Sequence, residues 1–121
     1  MIAVDTNILV WGVKKTPDPT RPDLVERCVR LIEGYKDRKI TILIPAPVLA
    51  EFLTGYPENE QKEVLAILTK GFFVAPFDAP TAVIAAELYD KAQFNQIRDE
   101  TPVAKQCLKV DYMVIATAIR H

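Results

Sequence analysis

The sequence predicts an α/β protein of three layers, with a central parallel sheet between two layers of helices. Three observations carry this. Short apolar runs bounded by turn residues read as strands covered on both faces. Between them lie stretches whose apolar residues recur at helical spacing. At 121 residues the chain is long enough for one hydrophobic core and too short for two, so residues 1–121 read as a single domain.

Ile2 to Val4 form the first strand, followed by Asp5, Thr6 and Asn7 and then by apolar Ile8, Leu9, Val10 and Trp11. Lys14 to Pro22 reads KKTPDPTRP, with three prolines and three basic residues, and is expected to be an exposed loop. Leu24, Cys28, Leu31, Ile32 and Tyr35 lie on one helix face, with Pro22 and Asp23 at its start. Ile40 to Ile44 is a β-branched run that stops at Pro45. Val48, Leu49, Phe52 and Leu53 mark a helix with Pro47 in its first turn, where a missing N–H is harmless. A helix over Glu58–Lys70 ends at Gly71, and Phe72 to Val74 is the third strand. An alanine-rich helix is expected from Ala79 to Phe94, and a last one from Pro102 to the chain end.

Half the residues are hydrophobic and 26% are charged, a globular composition. A net charge of -1 argues against a surface coated in positive potential. No apolar run approaches the ~20 residues of a membrane span, and no basic segment precedes the first apolar run as in a signal peptide. A cytoplasmic location without membrane contact is expected. Cys28 and Cys107 are too few and too widely spaced for a disulfide framework and read as buried free thiols.

Three carboxylates stand out. Asp5 directly follows a strand, and strand carboxyl ends line the crevice where ligands bind in parallel sheets. Helix capping explains an aspartate there equally well. Glu51 falls in the first turns of the helix after the second strand, near the same edge; taken alone, a solvated glutamate near a helix N-terminus is the simpler account. Asp111 lies within KVDYMVIATAI, with Cys107, Leu108, Ile115 and Ala118 on its face. Burying it unpaired would cost several kcal/mol, so a metal or another chain's cation is the expected company, Lys109 pointing elsewhere on the helix. Magnesium prefers oxygen ligands, and near a phosphodiester it can acidify water and offset charge on the displaced oxygen.

VDTNILVWG, PAPVLAEFLTG and KVDYMVIATAIRH resemble, in order and spacing, the three main motifs of PIN domains, and most of all those of bacterial VapC-like toxin nucleases. The resemblance spans the chain. It implies that Asp5, Glu51 and Asp111 are the metal-binding, catalytic acids and that Thr6 and Asn7 orient the site. It further implies a magnesium-dependent endoribonuclease, with manganese as a substitute, acting on single-stranded or structured RNA. Such a protein would be the toxin of a type II toxin–antitoxin pair, restrained by an antitoxin protein. Asp78, where similar domains often carry an acid, is better explained as a helix cap.

The sequence departs from the family after AIRH, where members usually continue into further strands and a TxD-like motif with a fourth acid. The expectation is therefore a domain truncated at its C-terminus, with its C-terminal strands absent and its sheet edge open. An open edge and the alanine-rich helix favour a homodimer or a heteromeric complex. The alternative function is a weak or inactive PIN fold serving as a protein-binding or oligomerisation module. A phosphoryl-accepting receiver-like domain is disfavoured, because Asp5 has no acidic neighbour and no well-placed aspartate ends the third strand.

Overall fold

The computed structural model describes residues 1–96 and 102–121, with side chains described for 1–91 and 110–121. The elements are β1 (Ile2–Ala3), α1 (Thr6–Gly12), α2 (Leu24–Asp37), β2 (Ile42–Pro45), α3 (Ala46–Leu53), α4 (Glu58–Gly71), β3 (Phe73–Ala75), α5 (Ala79–Gln96) and α6 (Pro102–Arg120). The strands form a parallel sheet in the order β1-β2-β3, with Ile2 beside Ile42 and Leu43 beside Phe73. This is the α/β class that the alternating sequence pattern predicts.

Successive strand residues point to opposite faces, yet all four residues of β2 are buried. The sheet is therefore covered on both sides at its centre, and α2, α3 and α6 all contact β2. Val4, Leu9, Ile32, Ile42, Ile44, Val48, Phe52 and Leu68 form the core. Removing this much apolar surface from water, at ~25 cal/mol per Å², is what holds three very short strands together.

The first strand, Ile2–Ala3, is shorter than expected by a residue, the third, Phe73–Ala75, is shifted by one, and the second differs at both ends. The second strand begins at Ile42, not Ile40, because residues 38–40 close α2. Lys39 adopts a left-handed conformation with φ 58°, its N–H bonds the Lys36 carbonyl at 3.0 Å, and the Ile40 N–H bonds that of Tyr35 at 2.9 Å. That is the Schellman arrangement, with a lysine where glycine is usual. The same strand runs through Pro45, which is also the N-cap of α3, so β2 passes into α3 without a loop.

Helix α1 has only seven residues and packs tightly against α2. A Cβ on Gly12 would stand 2.5 Å from Ile32 Cδ1, so the buried Ile32 side chain would have to shift to admit any larger residue there. The proline-rich segment is exposed, as expected, and is turned by Asp18, whose carboxylate accepts from the Thr20 N–H and hydroxyl.

Helices α5 and α6 pack together, with Tyr89 and Tyr112 edge to face at 5.9 Å between centroids. Asp78 caps α5 by accepting from the Thr81 N–H at 3.1 Å and hydroxyl at 2.6 Å, as the sequence suggests. Cys28 is a buried free thiol; the side chain of Cys107 lies outside the described residues. Among the described residues, no helix is long and apolar enough to cross a membrane.

Candidate functional site

The carboxyl ends of β1 and β2 open into a cleft of about 440 Å³. Asp5, Thr6 and Asn7 line it from the start of α1, Glu51 from α3 and Asp111 from α6, with valines and Ile115 between them. The five residues singled out by the sequence thus share one cleft. Asp5 follows β1, and Glu51 is carried by the helix that leaves β2, so neighbouring parallel strands deliver both to the same edge.

Asp5 serves two ends at once. It is the N-cap of α1, its Oδ1 accepting from the Ile8 N–H at 3.2 Å, while the residue itself is exposed to the cleft. The second oxygen has no protein partner among the described residues. Capping and ligand binding are therefore compatible, because the cap aims a carboxylate that keeps one oxygen available.

The position of Glu51 corrects the sequence reading. It is the sixth residue of an eight-residue helix, beyond the reach of the favourable N-terminal dipole. A negative charge near the C-terminal end is mildly unfavourable, so the helix dipole does not account for this exposed glutamate. Its Oε2 accepts a hydrogen bond from Thr6 Oγ1 at 2.6 Å, and this bond links α3 to α1.

Asp111 requires a second correction. It is exposed on the cleft rim, not buried on an apolar helix face. The side of α6 that is buried carries small residues, Ala116 and Thr117, with the Thr117 hydroxyl satisfied by the Met113 carbonyl. Ile115 and Ile119, which share the face of Asp111, remain 47% and 60% exposed. Of the other residues invoked around Asp111, the side chains of Cys107, Leu108 and Lys109 lie outside the described residues.

Among the described residues no lysine or arginine lines the cleft, and none of Asp5, Glu51 and Asp111 is in an ion pair. The donors are hard oxygens facing open water, a set that suits magnesium, which keeps several waters and takes one or two carboxylates. Among the described residues no three His, Cys, Asp or Glu side chains form a ready-made cage. The oxygen donors are of a kind that divalent ions take, and a cation held here would need water and phosphate oxygens to complete its shell.

Asp78 lies elsewhere. Hydrogen bonds from Thr81 hold its carboxyl below the usual carboxylate range, with smaller help from the Arg120 and His121 charges. The apolar wall of the cleft, formed by Val48, Val110, Val114 and Ile115, was not assigned to a site from sequence. Spacing offered a partial signal, since Val114 and Ile115 follow Asp111 by one helical turn.

The chain matches the PIN domain family over residues 2–121. Among solved structures, it resembles a chain from the crystal structure of VapBC2 from Rickettsia felis bound to a DNA fragment from their promoter. The TM-score is 0.64 at 23% identity, over 98% of this chain and 80% of that one. At this identity the likeness is one of fold. No curated protein matches the sequence.

Proposed function

This chain belongs to the PIN domain family, whose members are generally nucleases, and from that premise we propose that it is a magnesium-dependent endoribonuclease acting on single-stranded or structured RNA. The observation that carries the reading is the convergence of Asp5, Glu51 and Asp111, from three separate elements, on one cleft. Isolated capping or solvation roles give no reason for three acids to share a cleft, where their mutual repulsion is unfavourable without a cation.

Asp5, Glu51 and Asp111 are the proposed ligands of magnesium, for which manganese can substitute. A bound divalent ion supplies positive charge against phosphate oxygens and acidifies an attacking water. The chain's own groups do the positioning. The Ile8 N–H fixes one oxygen of Asp5, and the Thr6 hydroxyl holds one oxygen of Glu51. Asn7 lines the cleft, and its amide is the proposed group for orienting water or phosphate. Val48, Val110 and Val114 form the apolar wall of the cleft beside the carboxylates.

The proposed setting is the cytoplasm, as the toxin of a type II toxin–antitoxin pair. The fold likeness to a chain of the VapBC2 complex supports an antitoxin partner. An arginine or lysine entering the cleft would neutralise the carboxylates, and exposed Ile115 and Ile119 beside it offer apolar contact. Exposed apolar residues, including Val83 on α5, support a homodimer as well.

One observation favours a second reading, a weak or inactive fold retained for protein binding: among the described residues no three acids form a preassembled cage. The two separate in one experiment. The nuclease reading expects cleavage of a single-stranded RNA that begins on addition of magnesium and stops with EDTA. Failure to cleave, together with failure to bind manganese, would leave only the binding module.

A further inference from the structure

Helix α1 carries Asp5 at its cap and Thr6 in its first turn, so whatever fixes α1 fixes half the cleft. Leu9 anchors its middle in the core, and three further attachments act towards its ends. Gly12 seats α1 on α2, where a Cβ would collide with Ile32. The Thr6–Glu51 hydrogen bond ties its N-terminal end to α3. The third comes from the proline-rich segment that the proposed function leaves without a role. Lys14, just beyond the C-terminal end of α1, donates from Nζ to the Gly55 carbonyl at 2.7 Å, and its ammonium lies 4.7 Å from the centre of the Tyr56 ring.

We infer that Lys14 is a positioning residue for the carboxylate cleft, its ammonium pinning α1 against the end of α3 and so setting Asp5 and Thr6 in register with Glu51. The inference rests on the proposed function for what is being positioned. The brace itself is a matter of geometry that needs neither metal nor substrate to be read.

The local chemistry suits a brace. Gly55 lies just past the C-terminus of α3, where unpaired carbonyls carry partial negative charge and an ammonium is favoured. The bond is charge-assisted, and the cation also faces an aromatic ring. That ring is supported in turn by Phe52, edge to face at 5.4 Å. A Cβ on Gly55 would stand 3.3 Å from Lys14 Nζ and 3.4 Å from the Phe52 carbonyl, so the approach is fitted to glycine. Backbone bonds bring Lys14 into line: the N–H groups of Val13 and Lys14 both reach the Leu9 carbonyl. With seven residues, α1 is a short rod held to α3 at both ends. Without Lys14, the polar tie of α1 to α3 would be the water-exposed Thr6–Glu51 bond, beside the packing of Leu9 in the core with Val48 and Phe52.

The test compares the full chain with Lys14→Met, which keeps the stem and removes the charge, and Lys14→Arg, which restores a donor. The readouts are the side-chain carboxyl carbon resonances of Asp5 and Glu51 without metal, and the affinity for manganese. Lys14→Met should shift both resonances, weaken manganese binding about tenfold, the scale typical of groups that support ligands from behind, and leave circular dichroism unchanged. Lys14→Arg should recover most of both effects. Should Lys14→Met not fold, Lys14→Gln, whose shorter and neutral side chain falls short of the Gly55 carbonyl, is read in the same way. Unmoved resonances overturn the inference, as does unchanged manganese affinity in a chain that binds the ion, or no recovery with arginine. Shifted resonances in a chain that takes up no manganese at all support the brace and remove the nuclease reading instead.

Discussion

Thr6 Oγ1 donates to Glu51 Oε2 across 2.6 Å, joining residues 45 positions apart in the chain and closing one wall of the acidic cleft. Because the bond is exposed to water, its contribution to stability is small, less than about 1 kcal/mol. Its effect on the aim of Glu51 is larger. Thr6→Val, which keeps the shape and removes the donor, should leave the melting temperature nearly unchanged. RNA cleavage should fall about 10- to 100-fold, and Thr6→Ser should recover it. Full cleavage by Thr6→Val would show that Glu51 needs no such guide.

Gly12→Ala tests the seat of α1 on α2. In an exposed helix this change normally stabilises by up to ~1 kcal/mol. Here the new methyl would meet Ile32 Cδ1 at 2.5 Å, with the backbone carbon and Cβ of Cys28 at 3.4 Å. Overpacking should dominate, and urea denaturation should report a loss of about 1–3 kcal/mol. A variant as stable as the parent would mean that α1 can shift freely.

Asp78 gives a pH dependence whose sign follows from its cap. Its folded-state carboxyl is held below the value of 3.8 by the Thr81 hydrogen bonds. The stabilisation is therefore present above the unfolded value and is lost as pH falls through the folded one. The stability gap between the parent and Asp78→Ala should be widest near neutral pH and should narrow towards about pH 3. A gap independent of pH would mean that the charged carboxylate is not what caps α5.

Cys28 should be chemically quiet. Burial pushes its thiol up from the ordinary value, opposed by Arg27 and assisted by the Asp5 charge. In a Cys107→Ser background, Cys28 should react with a disulfide reagent at least about tenfold more slowly than a free thiol at neutral pH, and at the ordinary rate once unfolded. Fast labelling of the folded chain would place Cys28 at the surface.

The fold was largely legible because its strands are apolar runs and its longer helices have a clear period. The misses have local causes. Ile40 belongs by composition to a strand, but the left-handed turn at Lys39 uses its N–H to close α2. Helix α1 was hard to separate from the strand before it, since Ile8 to Trp11 is an unbroken apolar run that shows no helical period. For the site, strand-end placement was enough to gather Asp5 and Glu51. The exposure of Asp111 was not legible: α6 is apolar on several sides, and only packing decides that Ala116 and Thr117 are buried while Ile115 is left outside. The Lys14–Gly55 contact joins residues 41 positions apart and leaves no trace in local sequence.

The central claim, that the cleft acids act by holding a cation, is tested most directly by the magnesium-dependent cleavage of single-stranded RNA by Asp5→Asn. Asparagine can cap α1 as aspartate does, so the helix and the fold should persist, and stability without metal should be equal or higher as repulsion from Glu51 and Asp111 is relieved. The charge that attracts the ion is gone. Cleavage should be lost under conditions in which the unsubstituted chain cuts, and cleavage by Asp5→Asn at the parent rate would show that the Asp5 charge holds no essential cation.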